Sequence, residues 1–95
     1  MAIEHIAHKG VREFFFDDRP GKIGAEYRKK MHVVLSAMDA ATCVMDLENA
    51  FGFHALKGDR AGTFAMTISA NWRVTFRFEL GDRGDILDVD FEDYH

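Results

Sequence analysis

The sequence contains few of the residues that cross-link, interrupt or anchor a chain. Its 95 residues include one cysteine, Cys43, and one proline, Pro20, so an internal disulfide or a zinc site of paired cysteines is excluded. The longest apolar runs have three residues, whereas a membrane span needs about 20 and a secretory signal about 7–15. We therefore expect a cytoplasmic protein with no membrane contact.

The composition is that of one folded domain. Hydrophobic residues make up 47% of the chain, nine phenylalanines among them, and charged residues 29%, which is ordinary for a globular protein. Because a domain usually takes about 100–200 residues, we predict a single domain over residues 1–95. The net charge of −4 is unevenly spread, since residues 54–78 carry +3 and residues 79–95 carry −6. The basic segment keeps nucleic acid among the possible ligands.

The hydrophobic periodicity changes half-way along the chain. It predicts a helix over residues 9–16, before Pro20, and an amphipathic helix over about 25–41. Alternation with a period of two follows. The predicted strands are residues 2–6, 53–56, 63–69, 72–80 and 85–91. The fold class is therefore α+β, with N-terminal helices packed on a mainly antiparallel β-sheet.

The longest predicted strand has two chemically different faces. The positions expected to face the helices are Trp72, Val74, Phe76 and Phe78. The opposite face then carries Arg73, Thr75 and Arg77, which makes it polar and partly cationic. Such a face is common without any function, and two arginines favour an anionic ligand only modestly.

No motif of a metal or nucleotide enzyme is present. The histidines lie outside any HExxH or paired-cysteine frame, and there is no GxGxxG, Walker A or Gly-x-Ser-x-Gly sequence. We expect neither a metal nor a cofactor. Metal-free RNA cleavage needs a base for the 2′-hydroxyl, cations for the phosphorane and an acid for the leaving 5′-oxygen. Residues of these types are His54, Lys57, Arg60, Arg73, Arg77, Tyr94 and His95.

Three stretches place these residues in a family context: FHALKGDRAG at 53–62, NWRVTF at 71–76 and FEDYH at 91–95. They closely resemble the HigB host-inhibition-of-growth toxins of the RelE/ParE superfamily, and the resemblance runs nearly end to end. It implies a RelE-like microbial RNase-type fold and a ribosome-dependent mRNA endonuclease that uses the 2′-hydroxyl of the RNA as nucleophile. It also implies neutralisation by a HigA-type helix-turn-helix antitoxin, with operator DNA contacted only indirectly through that antitoxin.

The resemblance further implies roles for individual residues. By matching motif positions, His54 is a general base or transition-state group, and Lys57 and Arg73 neutralise the phosphate. Arg60, which could instead pair with the aspartate before it, and Arg77 are weaker phosphate-binding candidates. The other catalytic candidates are Asp93, Tyr94 and His95.

Some features keep other functions open. Ser69 stands near a position where some relatives have a basic residue, and Asp88 and Asp90 would repel phosphate if they faced the cleft. A degenerate toxin that acts only as an interaction domain would fit these departures. A ParE-like toxin that blocks a protein such as DNA gyrase would need no proton-transfer groups, which favours the nuclease. The antitoxin could dock on the three phenylalanines at residues 14–16 or on the partly cationic face of the predicted sheet.

Overall fold

The second helix is fixed by the apolar stripe in its sequence. In the computed structural model, which describes residues 2–93, α2 spans Ala25–Ala40. Its buried side chains are Met31, Val34, Leu35 and Met38. They recur at the spacing of one helix face, so the predicted amphipathic helix is confirmed. No helix within the described residues is long and apolar enough to cross a membrane.

The first helix, α1, spans Lys9–Phe16, as predicted. The Nδ1 atom of His8 caps it by accepting a hydrogen bond from the backbone N–H of Val11 at 3.1 Å. Val11 is fully buried, whereas the first two phenylalanines of Phe14–Phe16 are half-buried and Phe16 is 42% exposed. A 3-10 turn at Pro20–Lys22 follows and leads into α2.

The described residues form a four-stranded antiparallel sheet in which each strand pairs with its successor. The strands are β1 His54–Ala55, β2 Phe64–Thr67, β3 Trp72–Phe78 and β4 Ile86–Asp93. Short 3-10 turns lie at Val44–Asp46 and Gly58–Arg60. The predicted meander is confirmed, but β3 stops before Leu80. That residue lies in the following turn and is 64% exposed, so the predicted extension of the strand to residue 80 was wrong.

The N-terminal segment lies along the outer edge of β4. Ile3 and Ile6 form isolated parallel bridges with Ile86 and Val89, and both isoleucine side chains are buried. The pairing is interrupted between the two bridges, so the prediction of a regular strand over residues 2–6 was wrong. The segment nevertheless covers the edge of the sheet, where unpaired backbone groups would otherwise be exposed.

A β-bulge changes the register between β3 and β4. Thr75 pairs with Asp90, but Arg77 pairs with Leu87, so β4 contains one additional residue over this interval. Asp88 lies in the bulge with a φ of 57°, in the left-handed region that aspartate tolerates better than most residues. The bulge directs Asp88 towards Arg77, as described below.

The core lies between the helices and one face of the sheet. β3 contributes the buried side chains of Val74, Phe76 and Phe78 and, at its first position, the half-buried Trp72. The ring of Trp72 stacks on that of Phe91 at a centroid distance of 4.8 Å. The alternation predicted for β3 is therefore confirmed over 72–78, and so is the α+β class.

Candidate active site on the polar face of the sheet

The strand register brings the predicted site residues His54 of β1 and Arg73 of β3 onto one face of the sheet. His54, Ala65, Thr75 and Asp90 form one cross-strand row, and Thr67, Arg73 and Glu92 form the next. Because side chains alternate along a strand, both rows point away from the helices. We call this surface the polar face. It places His54 two strands from Thr75, a Cα separation of about 10 Å from the usual strand spacing.

The floor of the polar face is closed by small side chains. Ala65 is fully buried and Thr75 is 2% exposed, although both point away from the hydrophobic core. Longer side chains from neighbouring strands and from the 3-10 turn at Gly58–Arg60 surround them. The sequence predicted a polar face here, but it did not predict that the centre of this face would be shielded from water.

His54 lies at the edge of the polar face with its imidazole in a defined tautomer. Its Nδ1 atom is 2.9 Å from the carbonyl oxygen of Gly52. A carbonyl can only accept, so Nδ1–H donates this bond, and the neutral ring carries its lone pair on Nε2. The residue is exposed, which leaves Nε2 accessible to a substrate proton.

The loop before His54 has an unusual backbone. Asn49, Phe51 and Gly52 have positive φ angles of 67°, 51° and 66°, which is uncommon for residues with a side chain. The Phe51 carbonyl accepts a hydrogen bond from the Thr67 N–H at 2.7 Å, which ties the loop to β2. A Cβ on Gly52 would lie 2.6 Å from Thr67 Oγ1. The carbonyl that orients His54 is therefore held on a tightly packed turn.

Arg73 and Arg60 converge on one carboxylate, that of Glu92. Arg60 donates from Nη1 and Nη2 at 2.6 and 3.1 Å, and Arg73 from Nε and Nη2 at 3.1 and 2.8 Å. The hydrogen bond from Arg60, with a further contribution from Arg73, lowers the pKa of Glu92 from 4.5 to about 2. Arg60 thus pairs across the sheet with Glu92 and not with Asp59, which corrects the alternative raised from the sequence.

Glu92 is the residue of this face that the sequence reasoning missed. It lies within the motif FEDYH, of which only Asp93, Tyr94 and His95 were predicted as site residues. In the register of β3 and β4, Glu92 lies directly opposite Arg73. Cross-strand pairs of opposite charge are a recognised stabilising element of sheets. Aligning the two strands from the turn between them would have paired Arg73 with Phe91, because the β-bulge between Thr75 and Arg77 shifts the register by one residue.

Arg77 belongs to a second ion-pair group. Its Nε donates to Asp88 Oδ2 at 2.5 Å, and His5 Nδ1 donates to the other carboxylate oxygen at 3.0 Å. The hydrogen bond from Arg77 lowers the pKa of Asp88, and His5 adds to the effect. Asp90 is half-buried, and its Oδ1 accepts the N–H of Phe91 at 2.9 Å. Asp88 and Asp90 therefore both accept hydrogen bonds from donors of the protein itself.

The other candidates are distributed differently. Lys57 is exposed, and within residues 2–93 no carboxylate pairs with it. Asp93 is paired in register with Trp72, so the alternation of β4 places it on the helix side, away from His54. Tyr94 and His95 lie outside the described residues. Ser69 is half-buried in the β2–β3 turn, where its N–H donates to the Trp72 carbonyl.

Within the described residues, no group of three or more histidine, cysteine, aspartate or glutamate side chains could hold a metal ion. The chemistry that the polar face itself provides is a proton acceptor at His54 Nε2 together with guanidinium donors that bind an anion.

Comparison with known proteins identifies the family of this chain. The family model of HigB-like toxins, described as RelE-like toxins of the type II toxin–antitoxin system HigB, matches residues 4–95. This chain belongs to the HigB-like toxin family. The endoribonuclease HigB of Proteus vulgaris is 35% identical over 94 residues, which covers 98% of this chain and 99% of the relative. The resemblance found in the sequence is thereby confirmed.

Two solved structures share the fold of this HigB-like chain. A YoeB/ParE toxin from Agrobacterium tumefaciens superposes with a TM-score of 0.57 at 17% identity, over 94% of this chain and 99% of the other. A YoeB–YefM complex from Staphylococcus aureus gives a TM-score of 0.59 at 14% identity, over 100% and 99%. At these identities the likeness concerns the fold, and it confirms the predicted RelE-like α+β architecture.

Proposed function

We propose that this chain is a ribosome-dependent endoribonuclease that cleaves mRNA without a metal ion and so inhibits translation. The observation that carries the proposal is the placement of His54, with its lone pair on Nε2, and Arg73 on one face of the sheet. Membership of the HigB-like family and the Proteus vulgaris relative, named as an endoribonuclease, support it.

The reaction that suits this face is attack by the 2′-oxygen of the RNA on the adjacent phosphorus. His54 Nε2 accepts the 2′-hydroxyl proton, the new O2′–P bond forms, and the P–O5′ bond breaks. The products are a 2′,3′-cyclic phosphate and a 5′-hydroxyl. Arg73, with Arg60 and Lys57, stabilises the charge that builds on the phosphorane. Tyr94 and His95 are our candidates for the acid that protonates the 5′-oxygen.

The ribosome is the expected source of substrate orientation. The face has one exposed histidine and arginines already bound to a carboxylate, so it offers little to hold a flexible RNA in line for attack. A ribosome that presents a codon in fixed geometry would lower this entropic barrier. We therefore propose low activity on free RNA and cleavage of mRNA at the ribosome, in the cytoplasm.

A protein antitoxin is the expected partner. The Staphylococcus aureus neighbour was solved as a toxin–antitoxin complex, and the matching family belongs to type II toxin–antitoxin systems. We propose a HigA-type helix-turn-helix antitoxin for this chain, with operator DNA bound through the antitoxin alone.

Primer extension on an mRNA, with and without programmed ribosomes, tests the proposal. The purified wild-type protein is compared with His54→Ala, with a chain lacking His95, and with Gly21→Ala, whose added Cβ would meet nothing within 4 Å. We expect ribosome-dependent cuts within codons for wild type and Gly21→Ala only. A folded wild-type protein that arrests growth without cleaving RNA would overturn the proposal in favour of a protein target such as gyrase.

A further inference from the structure

Donors from two parts of the chain meet at the carboxylate of Glu92. Arg60 comes from the 3-10 turn, and Arg73 and Thr75 come from β3. Arg60 engages both carboxylate oxygens, Arg73 approaches Oε1 with two nitrogens, and Thr75 Oγ1 lies 3.4 Å from Oε2. Both oxygens of Glu92 therefore have donors. This is the donor arrangement of a site for an oxyanion.

The burial of these groups distinguishes them from an ordinary surface ion pair. The side chain of Arg73 is 15% exposed and that of Glu92 24%, and Thr75 beneath them is 2% exposed. By comparison, Arg77 and Asp88 on the same two strands are 45% and 49% exposed. Arg60 is itself 45% exposed, so the enclosure belongs to Arg73, whose guanidinium interacts with an anion more strongly than an exposed one does because solvent screens it less.

We infer that this is the binding site for the RNA phosphate, and that in the free protein Glu92 occupies it as a built-in substitute that the phosphate must displace. The inference rests on the proposed function for the identity of the anion. A carboxylate and a phosphate oxyanion accept the same bidentate hydrogen bonds from arginine. Because the fork of Arg60 is already directed at Glu92, a phosphate obtains these donors only when the carboxylate leaves.

Displacement requires a side-chain movement and no change of the strand. Glu92 extends from the end of β4 on a side chain with several rotatable bonds, and its partly exposed carboxylate can turn to water. Retaining both anions at the site would set two negative charges a few ångströms apart, which is unfavourable even near a protein surface. Glu92 thus lowers the affinity of the site for any phosphate that is not held in position, as the ribosome would hold it.

Binding of a short, fully 2′-O-methylated single-stranded RNA tests the inference, because this probe cannot be cleaved. Glu92→Gln keeps the shape of the side chain but removes its charge. We expect it to bind the probe about five- to tenfold more tightly than wild type at low salt. The slope of log K against log salt should steepen by about 0.7 for each arginine that gains a phosphate contact.

Two further variants separate the site from a general charge effect. Asp88→Asn removes one negative charge from the same strand but leaves Arg60 and Arg73 paired, so a smaller gain is expected. In Arg73→Ala/Glu92→Gln the gain of Glu92→Gln should disappear. Equal gains in Glu92→Gln and Asp88→Asn, or weaker binding by Glu92→Gln, would overturn the inference. Weaker binding would show that Glu92 positions the arginines for the phosphate instead of competing with it.

An experiment on the wild-type protein avoids dependence on how well the variants fold. In ¹⁵N NMR, the Nε resonance of Arg73 reports its hydrogen bond to Glu92. We expect this resonance to shift as the methylated RNA is added, with little change at Arg77. An Arg73 resonance that stays fixed at saturating RNA would contradict displacement. The cleavage assay is independent, so a protein that binds as described but never cuts mRNA would refute the nuclease and leave the phosphate site standing.

Discussion

The Nδ1–H of His54 donates to the carbonyl oxygen of Gly52 at 2.9 Å, and this contact fixes which imidazole nitrogen faces the substrate. Gly52 has a φ of 66° and packs directly on Thr67. The orientation and tautomer of His54 therefore depend on a backbone turn two residues earlier in the chain. Such dependence on a strained loop is common at functional sites, where strain is maintained by the surrounding structure.

The first prediction concerns this turn. Gly52→Ala should destabilise the protein by about 1–3 kcal/mol, since alanine disfavours a positive φ and its Cβ would collide with Thr67. Cleavage by the folded fraction should fall at least about tenfold as the carbonyl that orients His54 moves. Urea unfolding and the ribosomal cleavage assay measure the two effects. Gly21→Ala is the matched control, and wild-type activity in a folded Gly52→Ala would show that the turn does not position His54.

The second prediction ranks the arginines of the polar face. Arg73→Ala should fold and lose about 100-fold or more in cleavage, because one donor to a developing oxyanion has an effect of that size. Arg77→Ala should lose only about fivefold, since its guanidinium is directed at Asp88. Growth arrest on expression and single-turnover cleavage measure both variants. Comparable losses would place Arg77 at the phosphate as well, and full activity of Arg73→Ala would remove Arg73 from the site.

The third prediction concerns stability at low pH. Glu92 has a pKa of about 2 in the folded protein against a usual value of 4.5. Because the folded value is the lower one, its contribution is fully present above about pH 4.5 and is lost as the pH falls towards 2. The difference corresponds to roughly 3 kcal/mol if fully realised; solvent screening reduces our expectation to about 1–2 kcal/mol.

Urea unfolding at pH 6, 4 and 3 measures this contribution. Glu92→Gln should be less stable than wild type at pH 6, and the difference should shrink towards pH 3. Glu79→Gln serves as the control, because Glu79 is exposed and has no ion pair within residues 2–93. A constant difference between wild type and Glu92→Gln across this range would show that the carboxylate charge does not stabilise the fold.

The fourth prediction separates folding from chemistry. Trp72 stacks on Phe91 and contacts Tyr27 at 6.1 Å between ring centroids, so Trp72→Ala should cost about 2–3 kcal/mol, less than for a fully buried ring. Thermal unfolding should show Tm falling by roughly 10 °C. Any loss of toxicity should track the loss of folded protein, and Trp72→Phe should restore most of both. Loss of cleavage in a fully folded Trp72→Ala would assign this ring to RNA binding.

The sequence predicted those parts of the fold that depend on local periodicity. The stripe from Met31 to Met38 and the alternation from Trp72 to Phe78 each identify one buried face, and both are confirmed. The errors arose where local pattern competes with longer-range pairing. Leu80 continues the alternation but lies beyond the end of β3, and the segment over residues 2–6 pairs with β4 at two isolated positions.

The candidate site was predictable only in part, for a similar reason. The alternation of β3 places Arg73 on the polar face, and the family motifs identified His54. The partners of the charged groups depend on strand register and on a bulge, which composition and spacing do not reveal. Glu92 between Arg60 and Arg73, and Asp88 between Arg77 and His5, are therefore results of the structure. The tautomer of His54 likewise required the position of the Gly52 carbonyl.

Analysis of the RNA ends formed on programmed ribosomes identifies the group that attacks the phosphorus. An all-RNA message is compared with one that carries a single 2′-deoxynucleotide at the cleaved position. We expect the all-RNA message to yield a 2′,3′-cyclic phosphate and a 5′-hydroxyl, and the other message to remain uncut at the deoxy position. His54→Ala should cut neither message. Cleavage of the deoxy-substituted message, or a 5′-phosphate on the downstream product, would contradict attack by the 2′-hydroxyl and with it the role of His54 as its base.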